Sequence, residues 1–140
     1  MYLKDVGYIS AKQPITSPNL AAEAIKHEMK DLDREELIVV NLNSSGKPIN
    51  WNIVSVGGLS AVHFWIPNLF KTAILSNAKS FIVFHNHPGG TLYPSKEDLD
   101  MTKMVHDACK IIGIFMIDHI IVSGTTDDYY SLKENGDFLF

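Results

Sequence analysis

Two histidines, a serine and an aspartate lie close together in the chain, at His85, His87, Ser95 and Asp98. Alternate residues of a strand point to the same face, so His85 and His87 share a face at the end of an apolar strand. Asp98 falls in the first turn of a predicted helix and continues its apolar stripe. A carboxylate buried there needs a partner. Two imidazoles and a carboxylate suit a divalent metal ion with one position left open for chemistry.

Each part of this set also has an ordinary structural interpretation. Ser95-x-x-Asp98 is a common helix-capping pattern, and a single His-x-His is usually core or surface histidine. The capping and metal interpretations are compatible, because the helix must begin at Ser95 for Asp98 to point at the strand. The consecutive letters His85-Asn86-His87 do not indicate an HNH nuclease, since that class spreads its residues over a ββα unit.

The composition is that of an ordinary globular protein. The chain has 140 residues, 46% of them hydrophobic and 20% charged, which predicts a single domain over residues 1–140. Its net charge of −4 gives no support for nonspecific nucleic-acid or anionic-membrane binding. Cys109 is the only cysteine, which excludes an internal disulfide and a thiolate zinc cluster. With no signal-like start or membrane-spanning run, we expect a cytoplasmic protein without membrane contact.

The elements that position the four residues follow from caps and periodicity. Strands are predicted at 6–10, 37–42, 48–56, 81–84 and 114–122, and helices from Ser17-Pro18 to about 31–34, at 67–76, and from Ser95 to Gly113. A last short strand or two is expected after residue 129. Because strand hairpins alternate with helices, we predict an α/β fold with a curved mixed β-sheet flanked by helices.

The pattern His-x-His, seven residues, Ser, two residues, Asp resembles the JAMM signature of the MPN/JAB metallopeptidases. Within that superfamily, His85-Asn86-His87-Pro88 with Pro94-Ser95-x-x-Asp98 is similar to the RadC-like branch. Further matches run from about residue 30 to 135, including Asp118-His119-Ile120-Ile121-Val122, whereas the segment 63–68 departs from the family pattern. The resemblance implies a cytidine-deaminase-like JAB/MPN fold. We find no counterpart of the helix-hairpin-helix region that precedes this domain in full-length RadC proteins, and we expect no direct nucleic-acid binding by this chain alone.

The resemblance also implies a mechanism, in which Zn²⁺ is held by His85, His87 and Asp98 and activates a water molecule. Ser95 would donate a hydrogen bond to the developing oxyanion, and an upstream glutamate would act as general base and acid. Glu35 and Glu36 both precede the first buried strand, and the family pattern favours Glu35. Strand alternation allows only one of the two to face the site. The reaction would be hydrolysis of a peptide or isopeptide bond in a protein or peptide substrate.

Two other functions stay open. One is a noncatalytic scaffold that keeps the metal as a structural element, and the other is a binding module connected to DNA repair or mobile-element maintenance, as analogy with RadC proteins suggests. Asp118-His119 could orient the metal ligands by hydrogen bonds, or could be a polar interruption near a strand end. The sequence assigns neither the substrate nor the oligomeric state.

Overall fold

The structure, a computed structural model, describes residues 6–7, 13–57 and 65–140. Its elements are β1 (Val6–Gly7), α1 (Pro18–Met29), β2 (Glu36–Leu42), β3 (Pro48–Val56), α2 (Ile66–Leu75), β4 (Ser80–His87), α3 (Lys96–Ile112), β5 (Phe115–Ser123) and β6 (Tyr129–Ser131). The strands form one sheet in the order β1-β3-β2-β4-β5-β6. The β4–β5 pair is parallel and the other pairs are antiparallel. The prediction of an α/β fold with a mixed sheet is therefore confirmed.

Hydrophobic residues cover both faces of the two central strands, β2 and β4. One core joins the sheet to α2 and α3, through residues that include Leu37, Val83, Phe70 and Val105. The other joins it to α1, through residues that include Ile38, Val40, Phe84 and Ile25. Burial on both faces explains why β2 and β4 are nearly continuous apolar runs in the sequence. The apolar run of β4 gives way to polar residues at positions 85–87, which include the two histidines of the predicted site.

Most element boundaries agree with the predictions, and the differences have local causes. Helix α1 ends at Met29 rather than near 31–34, because Lys30 is extended and Asp31 adopts a positive φ of 61°. The buried face of α3 follows Met101, Val105 and Cys109, whereas Met104 and Ile112 are exposed.

The structure leaves parts of two predictions open. Residues 8–10 of the first predicted strand lie outside the described residues, as do residues 63 and 64 of the divergent segment. In the remainder of that segment, Trp65 is exposed and precedes α2. After residue 129 the chain forms one strand, β6, and then a turn around Gly136.

Within residues 13–57 and 65–140, we find no helix with the length and apolar character needed to cross a membrane.

Candidate metal centre

A tight turn after β4 brings the start of α3 back over the strand end. The carbonyl oxygen of His87 accepts hydrogen bonds from the N–H groups of Gly90, at 2.9 Å, and Gly124, at 3.1 Å. Gly90 has a φ of +86°, and a Cβ atom added to Gly124 would lie 2.7 Å from the Cα atom of Pro88. Both positions therefore require glycine. The turn places the first residues of α3 beside the histidines of β4.

The capping box predicted at the start of α3 is confirmed. The N–H of Asp98 donates to the Ser95 hydroxyl at 3.1 Å, and the N–H of Ser95 donates to Asp98 Oδ2 at 2.8 Å. The box fixes the Asp98 side chain, which is fully buried at 0% exposure. One backbone hydrogen bond does not satisfy a buried carboxylate, so Asp98 needs a further positive or donating partner.

Both histidines of β4 lie against this carboxylate. His85 Nδ1 is 2.9 Å from Asp98 Oδ1, and His87 Nε2 is 3.2 Å from Asp98 Oδ2. The two imidazole rings are perpendicular, with centroids 5.0 Å apart. His87 Nδ1 lies 2.6 Å from the carbonyl oxygen of Thr91. Because a carbonyl can only accept, this contact assigns the proton to Nδ1 and leaves Nε2 with a lone pair facing Asp98.

The pKa values of this cluster shift in the directions that the contacts require. Burial alone would raise the pKa of Asp98, but the adjacent His85 and His87 outweigh it and hold that pKa well below its usual range. The side chain of Asp98 raises the pKa of His87 despite the opposing effect of burial. Both shifts favour an ionised Asp98 carboxylate beside a positive charge. A protonated imidazole or a metal ion can supply that charge.

The donor set fits a divalent cation. Four buried side-chain atoms here make no hydrogen bond, namely His85 Nδ1, His85 Nε2, Asp98 Oδ1 and His119 Nε2. His85 Nδ1 and Asp98 Oδ1 are close, but their geometry is not that of a hydrogen bond. Buried polar atoms are rarely left unsatisfied without a functional reason. Imidazole nitrogens and a carboxylate are the ligands that zinc takes when cysteine is absent.

The candidate ligand atoms fall into two overlapping groups. Within the described residues, Glu35, His85 and His87 offer atoms that all lie within 4.8 Å of one another, and so do His85, Asp98 and His119. The predicted set of His85, His87 and Asp98 is joined pairwise through the carboxylate. The structure thus brings the predicted ligands together, and it places His119 beside two of them, His85 and Asp98.

Glu35, rather than Glu36, is the glutamate that lies beside the histidines. Its Oε2 atom is 3.7 Å from His85 Nε2, and its side chain is 39% exposed, so it is accessible from solvent. Asn86 points away from the histidines and holds the backbone on both sides of Glu35. Its Oδ1 accepts from the N–H of Glu36 at 2.6 Å, and its Nδ2 donates to the carbonyl of Arg34 at 2.9 Å.

The side chains of Asp118 and His119 make different contacts. Asp118 Oδ1 accepts from the N–H groups of His119 and Lys133, and Oδ2 accepts from the hydroxyl of Ser131 at 2.5 Å. Asp118 therefore fastens β6 and the turn after it. The His119 ring lies on the other side, 6.3 Å from the ring of His85. Neither side chain makes a hydrogen bond to the side chain of His85, His87 or Asp98, so the orienting role expected for the pair stays a prediction.

The predicted site residues line a cleft of about 500 Å³. Besides Glu35, His85, His87, Ser95 and Asp98, its lining includes Pro88, Gly89, Thr91, Tyr93 and Glu97. Tyr93 is exposed, and its ring lies 6.0 Å from the ring of Tyr130. This aromatic pair was not predicted, because no spacing rule connects a loop residue with a distant strand. Two further histidines do not line this cleft. His27 is exposed on α1, and His106 contacts Phe138 and Phe140.

Comparison with known proteins places the chain in a family. A family model described as "RadC-like JAB domain" matches residues 15–137. The chain is 38% identical over 122 residues to a UPF0758 protein of Desulfitobacterium hafniense, covering 87% of this chain and 53% of that protein. It is 38% identical over 135 residues to a UPF0758 protein of Syntrophomonas wolfei, covering 94% and 57%. It is 36% identical over 138 residues to one of Staphylococcus carnosus, covering 99% and 59%. The chain spans a little over half the length of these curated relatives.

Proposed function

The chain belongs to the RadC-like JAB domain family, and from this premise we propose that it is a zinc-dependent hydrolase of peptide or isopeptide bonds. One observation carries the proposal. Two imidazoles and a buried carboxylate converge on the floor of an open cleft with several polar atoms unsatisfied, while Glu35 and Ser95 line the same cleft. A scaffold that needed only a structural metal would have no use for a base and a hydroxyl donor at an open cleft.

His85, His87 and Asp98 would hold the ion. Bound there, Zn²⁺ would act as a Lewis acid and would lower the pKa of a water molecule to about 7. The chain prepares this site in advance. The Thr91 carbonyl fixes the tautomer of His87, and the capping box fixes Asp98. Such supporting contacts orient metal ligands and raise their basicity.

Glu35 would move the proton. Its carboxylate lies at the accessible edge of the cluster, 3.7 Å from His85 Nε2, so it could take a proton from water and return it to the leaving amine. Asn86 keeps that carboxylate in place by bonding the backbone on both sides of it. Proton transfer of this kind contributes about 10²–10⁴ in rate.

Ser95 would stabilise the transition state. Its Oγ atom accepts the N–H of Asp98, which leaves the hydroxyl proton free to donate toward the cleft. A hydroxyl aimed at the developing oxyanion acts where negative charge appears during attack on an amide carbonyl. The residue therefore has two roles, since the same oxygen caps α3.

We propose a protein or peptide as the substrate, because an amide carbonyl is what this set of groups is suited to attack. A cytoplasmic setting in DNA repair or mobile-element maintenance stays a hypothesis that rests on analogy. The net charge of −4 offers no electrostatic basis for DNA binding by this chain.

The test combines metal analysis with an activity screen. The purified chain, loaded with Zn²⁺, is incubated with a library of peptides and isopeptide-linked peptides, and cleavage is followed by mass spectrometry. We expect at least one tightly bound zinc per chain and cleavage of a subset of the library. Glu35→Gln should keep the zinc and lose cleavage by about 10²–10⁴-fold. The matched control is Glu28→Gln, a neutralised exposed carboxylate on α1 that should cleave normally.

Three outcomes decide the proposal. If the wild-type chain binds no zinc, the metal centre is wrong. If it binds zinc and no library member is cut above the rate of Glu35→Gln, the scaffold alternative is favoured. Cleavage that Glu35→Gln leaves intact would remove Glu35 from the mechanism.

A further inference from the structure

His119 reaches the metal centre from the strand beside the histidines. It lies on β5, in register with Val83 of β4, and its side chain is fully buried. Its Nε2 atom makes no hydrogen bond and lies within 4.8 Å of ligand atoms of His85 and Asp98. A buried nitrogen without a partner is costly, so its position beside a carboxylate calls for an explanation.

The hydrogen bonds around His119 determine which of its nitrogens carries the proton. The Thr102 hydroxyl donates its single proton to the carbonyl of Asp98, at 2.7 Å. The same oxygen lies 2.7 Å from His119 Nδ1, and it can only accept there. His119 Nδ1 therefore carries the hydrogen, and Nε2 presents a bare lone pair to His85 and Asp98. Protein ligands of metals are oriented in this way, by a donor contact through the second ring nitrogen.

His85 and Asp98 each present two ligand atoms in different directions. His85 Nε2 faces Glu35 and the cleft, while Nδ1 faces Asp98 Oδ1. Asp98 Oδ2 faces His87, while Oδ1 has no hydrogen bond. The atoms that the cleft position does not use are therefore His85 Nδ1, Asp98 Oδ1 and His119 Nε2.

We propose that these three atoms form an inner cation position behind the one in the cleft. It would take a divalent ion that accepts nitrogen ligands, such as Zn²⁺ or Co²⁺. When both positions are filled, His85 would bridge the two ions through its two nitrogens and would release its ring proton to solvent. The inference rests on the proposed function, since the two positions share His85 and Asp98.

The test counts bound ions as ligands are removed. Metal-free protein is titrated with Co²⁺, and binding is followed by equilibrium dialysis and visible absorption. The wild-type chain should bind two ions at saturation. His87→Ala should keep the inner ion, and His119→Asn should keep the outer one, because asparagine can still donate to Thr102 from the place of Nδ1 but lacks Nε2. The double variant should bind none. His27→Asn, at an exposed helix position, should still bind two.

The outcomes separate this inference from the proposed function. If the wild-type chain and His119→Asn both bind one ion with equal affinity, and His87→Ala binds none, the inner position does not exist and the cleft centre stands. If the wild-type chain binds none, the proposed function fails as well. A measurement without substitution at His119 covers the case in which His119→Asn does not fold. In ¹⁵N-histidine-labelled His87→Ala loaded with ¹¹³Cd²⁺, we expect a coupling between cadmium and His119 Nε2, and its absence would overturn the inference.

Discussion

Asp98 and Asp118 are both buried aspartates, with 0% and 3% of their surface exposed, and their surroundings differ in kind. The partners of Asp118 are fixed donors, namely two backbone N–H groups and the hydroxyl of Ser131. Asp98 receives one backbone N–H in its capping box and otherwise faces imidazole nitrogens. Hydrogen bonds within the fold satisfy the Asp118 carboxylate, whereas the Asp98 carboxylate still requires a positive charge beside it.

The pKa values of the two carboxyls move in opposite directions for this reason. Burial raises the pKa of Asp118, and its hydrogen bonds only partly offset that effect. Burial also acts on Asp98, but the two histidines beside it reverse the direction and lower its pKa. A buried carboxylate is therefore not in itself a sign of function. The sign of a functional site is a buried carboxylate that faces lone pairs, or that faces nitrogen atoms able to donate a hydrogen bond only when they are protonated.

The largest effect is expected for Asp98→Asn. The substitution keeps the size of the side chain and removes its negative charge, which we expect to bind the cation together with the two imidazoles. We expect complete loss of tightly bound zinc after dialysis and cleavage at the background rate. Circular dichroism of the metal-free protein should still show a folded domain, because the amide oxygen can accept from Ser95. Retention of one zinc with unchanged affinity would mean that Asp98 is a capping residue only.

Ser95→Ala should have the next largest effect, since it removes two functions of one oxygen. Loss of the proposed oxyanion donor should lower kcat by about 10²–10³, and loss of the cap should cost about 1 kcal/mol of stability. The matched control is Ser17→Ala, because Ser17 caps α1 in the same way, with Oγ accepting from the N–H of Leu20 at 3.3 Å. That variant should lose similar stability and no rate. An equal kcat in both variants would leave Ser95 with capping alone.

Much of the centre could be predicted because its signals are local in sequence. The histidines end one strand, the cap begins the next helix, and a turn rich in glycine and proline connects them, so strand alternation and helix capping place all four residues. The choice of Glu35 depended on the resemblance, because the pairing of β2 with β4 sets its position. That register, in which Leu37 faces His85, cannot be read from residue spacing.

His119 was the least predictable part of the centre. Its neighbour in sequence, Asp118, is equally polar, and alternation along β5 says only that the two side chains point to opposite faces. Which of the two side chains lies beside the candidate ligands depends on the parallel pairing of β5 with β4 and on Thr102, one turn beyond Asp98. These contacts are distant along the chain, so the residues alone could not assign a role to the pair.

Asn86→Ala should have a smaller effect on rate than Ser95→Ala. Without the side chain, the backbone around Glu35 loses both bonds that hold it, and misplacement of a reacting group by about 1 Å can cost about 10²-fold. We expect a fall in kcat of at most that size, with zinc content unchanged. Asn41→Ala is the matched control, because this buried amide bonds Asn50 and Thr72 away from the cleft. If both variants fall equally in kcat, the loss reflects general destabilisation.

Asp118→Ala should have the smallest effect on the metal centre and a measurable one on the fold. It leaves the N–H groups of His119 and Lys133 without their acceptor, and an unsatisfied buried group costs about 1–3 kcal/mol. Urea unfolding should report that loss, and Ser131→Ala, which removes one donor, should lose less. Zinc content and kcat should match the wild type, because the carboxylate contacts β6 and the following turn rather than an imidazole. A loss of zinc in Asp118→Ala would mean that β6 supports the metal ligands through β5, and the two aspartates would then serve one site.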